Sequence, residues 1–77
     1  MNTEKYKEQF IELGLAIKHY RIRKGLTQEQ LAEKIHISPQ QISRIESPKS
    51  QNSTTLYTLF LIADALEVEV AQLFSYR

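Results

Sequence analysis

The sequence predicts an all-α protein with five short helices, and three observations lead to that fold class. Apolar residues recur every three or four positions, as they do on one face of an α-helix. Helix-start signals of the type Ser/Thr-x-x-Gln occur twice in succession. No strand-like alternation, internal repeat or low-complexity tract competes with this interpretation. At 77 residues, the chain is expected to form a single domain over residues 1–77.

The first two helices follow from an apolar stripe and a capping box. The stripe predicts a first helix that ends at Gly25. Its members are Tyr6, Phe10, Leu13, Ile17 and Tyr20. Thr27 and Gln30 then form a capping box. A short second helix is therefore predicted from about Gln28 to about His36.

The third helix is predicted by the second start signal. Ser38 caps it, Pro39 takes the first helical position and Gln41 completes the capping box. The helix then runs from Pro39 to about Ser47. Two short helices separated by about four residues are the helix-turn-helix arrangement, whose second helix lies in the DNA major groove. In this geometry His36 needs a left-handed backbone, which histidine tolerates.

The last two helices follow a polar loop that contains Pro48. The fourth is predicted from a cap at Thr54 or Thr55 through Leu66. Its interior is apolar nearly all round, so it is expected to be buried on more than one side. The fifth covers about Glu69 to Phe74 and offers three apolar residues to the same core.

Charge is segregated along the chain although the net charge is only +1. Residues 18–49 contain seven basic and three acidic side chains, a net charge of +4. The following segment is acidic, with Arg77 against Asp64, Glu67 and Glu69. A basic segment can steer a polyanion to one face, but more often it is an ordinary solvated surface. The charge pattern alone leaves both interpretations open.

Several classes of protein find no support in the composition. The absence of cysteine removes disulfides, thiolate metal sites and cysteine nucleophiles, and fits a reducing cytoplasm. The longest apolar stretch, Leu59 to Ala63, is too short to span a bilayer. With two histidines, two glycines and scattered carboxylates, we expect no enzyme, no metal site and no cofactor. A cytoplasmic protein is the expectation.

Successive residues of the third helix are about 100° apart, which separates its two faces. One side holds Ile42, Ile45 and Glu46, and the other holds Gln40, Ser43, Arg44 and Ser47. Gln40 points outward at the first turn, where a glutamine amide can accept from adenine N6 and donate to adenine N7. Arg44, one turn later, could pair with guanine or with a phosphate. For Gln41 the capping role is a complete explanation, and a DNA contact is the alternative.

Residues from Leu13 to Phe74 match one family in type and spacing. They are Leu13-Gly14, Ile17, Arg21, Gly25-Leu26-Thr27-Gln28, Leu31-Ala32, Ile42-Ser43-Arg44-Ile45-Glu46, Leu59, Ile62-Ala63, Ala65-Leu66 and Leu73-Phe74. On these residues the chain resembles the Cro/repressor-type helix-turn-helix family, also called the XRE family. The resemblance implies a five-helix repressor-like DNA-binding domain that usually acts as a dimer on inverted-repeat operators. His36 and Ser47-Pro48 depart from the glycine-containing turns of the family.

The resemblance implies a sequence-specific transcriptional regulator whose partner is double-stranded DNA. The expected base-contacting residues are Ser38, Pro39, Gln40, Gln41, Ser43 and Arg44. The expected phosphate-contacting residues are Thr27, Gln28, Ser47, Lys49, Asn52, Ser53 and Thr54. The resemblance also implies a partly buried ion pair between Arg21 in the first helix and Glu46 at the end of the third.

One recognition helix touches only a few base pairs, so a homodimer is expected. Its candidate interface consists of Tyr57, Leu61, Val68, Val70 and Tyr76, which exceed what a small core readily hides. Alternatively, the start of the first helix covers these residues through Tyr6 and Phe10. A second class of function also stays open, a protein-interaction module such as an antitoxin whose main partner is another protein.

Overall fold

A computed structural model describes residues 3–47 and 54–75 of the chain, and all regular structure in these ranges is helical. A short 3₁₀ turn over Thr3–Tyr6 leads into the first of five α-helices. The helices are α1 (Lys7–Arg23), α2 (Gln28–Ile35), α3 (Pro39–Glu46), α4 (Leu56–Leu66) and α5 (Val70–Phe74). The all-α, five-helix prediction is confirmed, and the predicted helix ends agree with the structure to within one or two residues.

One hydrophobic core receives side chains from every helix. Its fully or nearly buried members are Leu13, Ala16, Ile17, Leu31, Ala32, Ile35, Ile42, Leu59, Ile62, Ala63, Leu66 and Leu73. Helix α1 packs against α3, α4 and α5, while α2 packs against α3 and α4. Helix α4 is in contact with three other helices, in agreement with the prediction that it is buried on more than one side.

Side-chain caps fix where the helices begin. Gln30 N–H donates to Thr27 Oγ1 over 3.0 Å, and Thr27 N–H donates back to Gln30 Oε1 over 2.8 Å. The same reciprocal pair joins Gln41 and Ser38 at the start of α3, over 3.2 and 3.1 Å. Both predicted capping boxes are therefore present. Of the two candidates for the cap of α4, Thr55 is the one that accepts from the first turn.

Three helices end at a residue with a left-handed backbone. Gly25 follows α1 with a φ of 76°, which glycine adopts without steric cost. His36 ends α2 with a φ of 60°, which confirms the left-handed conformation predicted for that position. Glu67 ends α4 in the same way, with a φ of 59°. These sharp ends turn the chain back at once, so each following helix packs on the core.

Gly14 brings α1 and α3 into backbone contact. A Cβ atom at this position would lie 2.4 Å from the carbonyl oxygen of Ile45 and 3.2 Å from Cα of Glu46. No side chain fits in that space, because these neighbours are backbone atoms. The C-terminal end of α3 is thereby fixed directly against α1.

Among residues 3–47 and 54–75, no helix combines the length and the apolar character that crossing a bilayer requires.

Candidate nucleic-acid interface

The two sides of α3 differ in burial and in chemistry. Ile42 is fully buried, Glu46 is 5% exposed and Ile45 packs half-buried against the core. The other side and the first turn are exposed and polar. Their exposed residues are Ser38, Pro39, Gln40, Gln41, Ser43 and Arg44. A helix anchored on one side and polar on the other presents a row of hydrogen-bonding groups to an outside partner.

The adjacent glutamines of α3 have different surroundings. Oε1 of Gln41 accepts from the backbone N–H of Ser38 over 3.1 Å, so the structure shows the capping role. Gln40 lies one position earlier, and no side-chain hydrogen bond within the described parts of the chain engages it. The amide of Gln40 therefore presents both a donor and an acceptor outward.

The first turn of α2 lies beside the first turn of α3. Thr27, Gln28 and Glu29 from one side and Pro39, Gln40 and Ser43 from the other line a shallow open cleft of about 600 Å³, with Arg21 beneath. Backbone N–H groups in the first turn of a helix have no intrahelical acceptor and form a site for anions. The cleft therefore joins a feature suited to phosphate with the face suited to base edges.

Arg21 and Glu46 form a buried ion pair beneath this cleft. Arg21 Nε donates to Glu46 Oε2 over 2.7 Å, and Arg21 Nη2 donates to Glu46 Oε1 over 3.0 Å. Arg21 is 8% exposed and Glu46 is 5% exposed, so the pair is shielded from solvent. Arg21 Nη1 also donates to the carbonyl oxygen of Leu26 over 2.7 Å. The guanidinium thus joins α1, the loop before α2 and the end of α3.

Gln28 adds a contact that the sequence did not predict. Its Nε2 donates to Glu46 Oε1 over 3.1 Å and connects the first residue of α2 to the last residue of α3. The sequence offered no signal for this bond, because the two residues are 18 positions apart and glutamine at a helix start has a sufficient local explanation.

The remaining phosphate candidates follow α3 in the sequence. Ser47 and Thr54 are half-buried, one at the end of α3 and the other before α4. Lys49, Asn52 and Ser53 lie outside the described residues, and their contacts stay predictions.

The residues predicted to form the dimer interface differ in burial: some pack against the core and others are exposed. Leu61, Val68 and Val70 pack half-buried against the core, whereas Tyr57 is 73% exposed. Tyr76 lies outside the described residues. On α4 and α5, three further large apolar residues, which were not predicted as interface, are more than half exposed. They are Leu56, Phe60 and Phe74.

Two grooves follow this apolar surface. One, of about 630 Å³, runs between the end of α2 and α4 and includes Tyr57 and Leu61. The other, of about 580 Å³, lies along α4 and α5 and includes Phe60, Leu61 and Val70. No residue of α1 lines either groove in the described parts of the chain, and Tyr57 and Phe60 beside these grooves are 73% and 54% exposed.

An exposed ion pair connects the ends of α1 and α4. Lys24 Nζ lies 2.6 Å from Glu67 Oε2. The hydrogen bond from Lys24, together with its charge, holds the pKa of Glu67 below its usual value, and the charge of Lys34 acts in the same direction. This pair has no contact with the exposed face of α3.

The packed pair α2 and α3, with a sharp left-handed turn between them and an exposed polar face on the second helix, defines a helix-turn-helix protein. The comparison with protein families agrees. A family model described as "Helix-turn-helix" matches residues 17–73, and the chain belongs to this XRE-type helix-turn-helix family. It is a DNA-binding transcriptional regulator. No curated protein matches the sequence.

Solved regulators share the fold. The restriction-modification controller protein C.AhdI from Aeromonas hydrophila is 28% identical over 84% of this chain and 96% of its own, with a TM-score of 0.78. The wild-type restriction-modification controller protein C.Esp1396I is 34% identical over 88% of this chain and 86% of its own, with a TM-score of 0.75. The clp gene regulator ClgR from C. glutamicum is 28% identical over 87% of this chain and 83% of its own, with a TM-score of 0.80. These family and structural relatives are regulators rather than enzymes.

Proposed function

We propose that this regulator reads a specific DNA sequence by placing α3 in the major groove. The observation that supports this most directly is the burial pattern of α3. Its inner side is held by Ile42 and Glu46, while Gln40, Ser43 and Arg44 stand exposed on the other side. Side chains on the exposed side of a recognition helix are the ones that reach base edges.

The base contacts follow from the chemistry of these side chains. Gln40 offers one acceptor and two donors, which match N6 and N7 of adenine. Arg44 lies one turn later and offers the donor fork that matches O6 and N7 of guanine. Ser38, Pro39, Gln41 and Ser43 complete the proposed surface. We assign Gln40 and Arg44 as the principal readers, because no hydrogen bond within the described residues engages either side chain.

Phosphate contacts are proposed around this reading surface. Thr27 and Gln28 stand at the start of α2, where backbone N–H groups favour an anion. Ser47, Lys49, Asn52, Ser53 and Thr54 are proposed for the same role after α3. Contacts of this kind fix the protein on the duplex without distinguishing bases.

A binding selection from a randomised duplex pool, at one stated salt concentration, tests sequence-specific reading. Wild type is expected to enrich an inverted repeat. Gln40→Ala should relax one symmetric position in each half-site, a loss of about 1–3 kcal/mol of discrimination. Gln9→Ala is the matched control, because it removes an exposed glutamine amide on α1, outside the proposed DNA-contacting residues. If wild type enriches no sequence, specific recognition is excluded.

We also propose a homodimer in which α4 and α5 of two copies meet. The supporting observation is the pair of exposed aromatic side chains Tyr57 and Phe60, which border two adjoining grooves that share Leu61 and Asp64. Large exposed apolar patches on small proteins mark interaction surfaces. A two-fold axis through this surface would place two α3 helices for successive half-sites of an inverted repeat.

Light scattering over a range of concentrations tests the dimer. Wild type is expected at the dimer mass, and Phe60→Ser should shift the equilibrium toward monomer. Ile22→Ser is the matched control, since Ile22 is 57% exposed on α1 and lines neither groove. Wild type at the monomer mass at every concentration would remove the homodimer. The same apolar face would then favour the second candidate, an antitoxin-like module that binds another protein.

We propose a non-enzymatic role in the cytoplasm, with residues 1–77 as one domain. All five helices contribute to one core, which supports a single folding unit. The similarity to C.AhdI and C.Esp1396I supports a restriction-modification controller as the specific role. A reporter gene placed behind the selected operator should change expression with wild type and respond much less to Gln40→Ala. An unchanged reporter with wild type would argue against a regulatory role at that operator.

A further inference from the structure

We propose that the outer face of α1 binds an acidic amphipathic helix of another protein. The outer face consists of Leu15, Lys18, Ile22 and Arg23, which belong to neither the proposed DNA interface nor the proposed dimer interface. Leu15 is 41% exposed and Ile22 is 57% exposed. The core and the two proposed interfaces therefore leave this apolar pair uncovered.

The spacing of the four residues forms an apolar stripe with a cation on each flank. Leu15 and Ile22 are seven positions apart, almost two helical turns, so both point to the same side of α1. Because successive residues turn by about 100°, Lys18 lies on one flank of this stripe and Arg23 on the other. Apolar residues at heptad spacing with charges beside them are the pattern along which a second helix packs.

The flanking cations are not neutralised by neighbouring residues. Lys18 and Arg23 are exposed, and neither side chain forms an ion pair or a hydrogen bond with another described residue. The acidic residues of α1, Glu8 and Glu12, come before Leu15, so the second half of the helix is basic. A partner that covers the stripe must bring acidic side chains to its flanks, because basic ones would be repelled.

The combination of apolar stripe and cations favours a protein helix over other occupants. A DNA backbone would satisfy the two cations but would leave Leu15 and Ile22 in water. A second copy of the outer face would bring the same two cations, so charge repulsion opposes that pairing. An acidic helix with apolar residues seven positions apart satisfies both the stripe and its flanks.

The outer face stays accessible in the proposed DNA-bound dimer. In the described parts of the chain, none of its four residues lines the cleft between α2 and α3 or either groove along α4. The partner can therefore be held while α3 lies in the major groove and α4 and α5 contact a second copy. This third surface would bring another protein to the operator, an interaction beyond the proposed function.

Fluorescence anisotropy with labelled synthetic helices tests the proposal. One probe carries leucine at the a and d positions of about three heptads and glutamate at the e and g positions, and a second carries lysine in place of each glutamate. Ile22→Ser and Lys18→Glu change the outer face. The matched controls are Leu56→Ser, at a leucine of α4 that is 60% exposed, and Lys34→Glu, at an exposed lysine of α2. Thermal melts check that all variants are folded.

We expect the glutamate probe to bind wild type, and Ile22→Ser and Lys18→Glu each to weaken that binding about tenfold, the scale on which one anchoring side chain acts in an interface. Both control variants should bind the glutamate probe as wild type does. The lysine probe should bind wild type about tenfold more weakly or worse. The proposal is overturned by a glutamate probe that does not bind, by equal binding of the two probes, or by an equal loss in the face variants and the controls.

Two further measurements distinguish the other occupants. Light scattering should give Ile22→Ser the same mass as wild type, and a change of mass would assign the outer face to a second copy instead. Lys18→Glu should bind an unrelated duplex as Lys34→Glu does, and a much larger loss in Lys18→Glu would assign the face to DNA. The probe assay requires no operator, so a wild type that enriches no DNA sequence counts against the proposed function and not against this surface.

Discussion

The turn between α2 and α3 and the turn between α4 and α5 have the same backbone geometry. His36 has φ and ψ of 60° and 43°, and Glu67 has 59° and 41°. In each turn the next N–H donates over 3.0 Å to the carbonyl of a buried alanine, Ala32 in the first and Ala63 in the second. Within the described residues, the helix pairs α2–α3 and α4–α5 therefore share one turn geometry, and only α2–α3 is proposed to read DNA.

The helices that follow the two turns, α3 and α5, explain why only the first helix pair is proposed to read DNA. Helix α3 has eight residues, an exposed polar side, and an end fixed by Glu46. Helix α5 has five residues, and its last residue, Phe74, is an apolar side chain that is 61% exposed. The turn geometry sets the angle between two helices, and length, anchoring and surface chemistry decide what the second helix contacts.

Arg21→Ala is expected to have the largest effect on stability, because it removes the buried ion pair with Glu46 that holds the end of α3. Helix α5 has no equivalent ion pair among the described residues. The substitution strands the carboxylate of Glu46 in the interior, which costs about 3–5 kcal/mol of the free energy of unfolding. Denaturant unfolding measures this loss. The control is Arg23→Ala, an exposed arginine in the same turn of α1, with an expected change of about 0.5 kcal/mol or less. Equal stability of the two variants would show that the buried pair does not anchor α3.

Gly14→Ala should displace α3 without touching its reading residues. The new methyl group would lie 2.4 Å from the carbonyl oxygen of Ile45, so the helices must separate, at a cost of about 1–3 kcal/mol. Specific DNA binding should fall as well. Gly25→Ala is the comparison variant, since it strains the left-handed end of α1 in open space. If both variants lose stability and retain the same DNA affinity, the position of α3 does not depend on Gly14.

A glycine at either turn tests whether the two turns are equivalent. His36→Gly should relieve the left-handed strain and raise the free energy of unfolding by up to about 1 kcal/mol. Glu67→Gly should gain less, because it also removes the ion pair with Lys24. Thermal melts at neutral pH compare the two. A larger gain at Glu67 would mean that this ion pair contributes nothing to stability.

The smallest expected effect is the pH dependence of the stability that the Lys24–Glu67 ion pair contributes at the second turn. Lys24 lowers the pKa of Glu67 in the folded protein, so the pair stabilises the fold above the ordinary glutamate pKa of about 4.3. That contribution is lost as the pH falls through the lowered pKa of the folded state. Melts of wild type and Glu67→Gln at pH 7 and pH 3 should therefore differ more at pH 7. A difference that stays constant with pH would contradict the assignment.

Local signals in the sequence were sufficient for most of the fold. Reciprocal Thr27–Gln30 and Ser38–Gln41 capping depends on residues three positions apart, and both pairs form as predicted. The left-handed backbone of His36 followed from the helix-turn-helix spacing. The same conformation at Glu67 was not foreseen, because glutamate is not among the residue types enriched there. Because the left-handed backbone of Glu67 was not predicted, nothing in the sequence indicated that the two turns share one geometry.

Long-range contacts were less predictable at the candidate site. The faces of α3 follow from its period, whereas the bond between Gln28 and Glu46 requires the relative placement of two helices. The dimer surface shows the same limit. Apolar residues of α4 were recognised as more than the core needs, but which of them stay exposed depends on packing, and Phe60 is exposed where Leu61 is half-buried.

The separation of anchor and reading face on α3 makes its base preference exchangeable. Ile42 and Glu46 hold the helix, while Gln40, Ser43 and Arg44 form no side-chain hydrogen bond within the described residues. Replacing these three side chains leaves the buried contacts of Ile42 and Glu46, which hold α3, in place. New operator specificities can therefore be engineered, or arise by drift, on an unchanged scaffold, and related regulators can diverge in their targets while keeping the same stability.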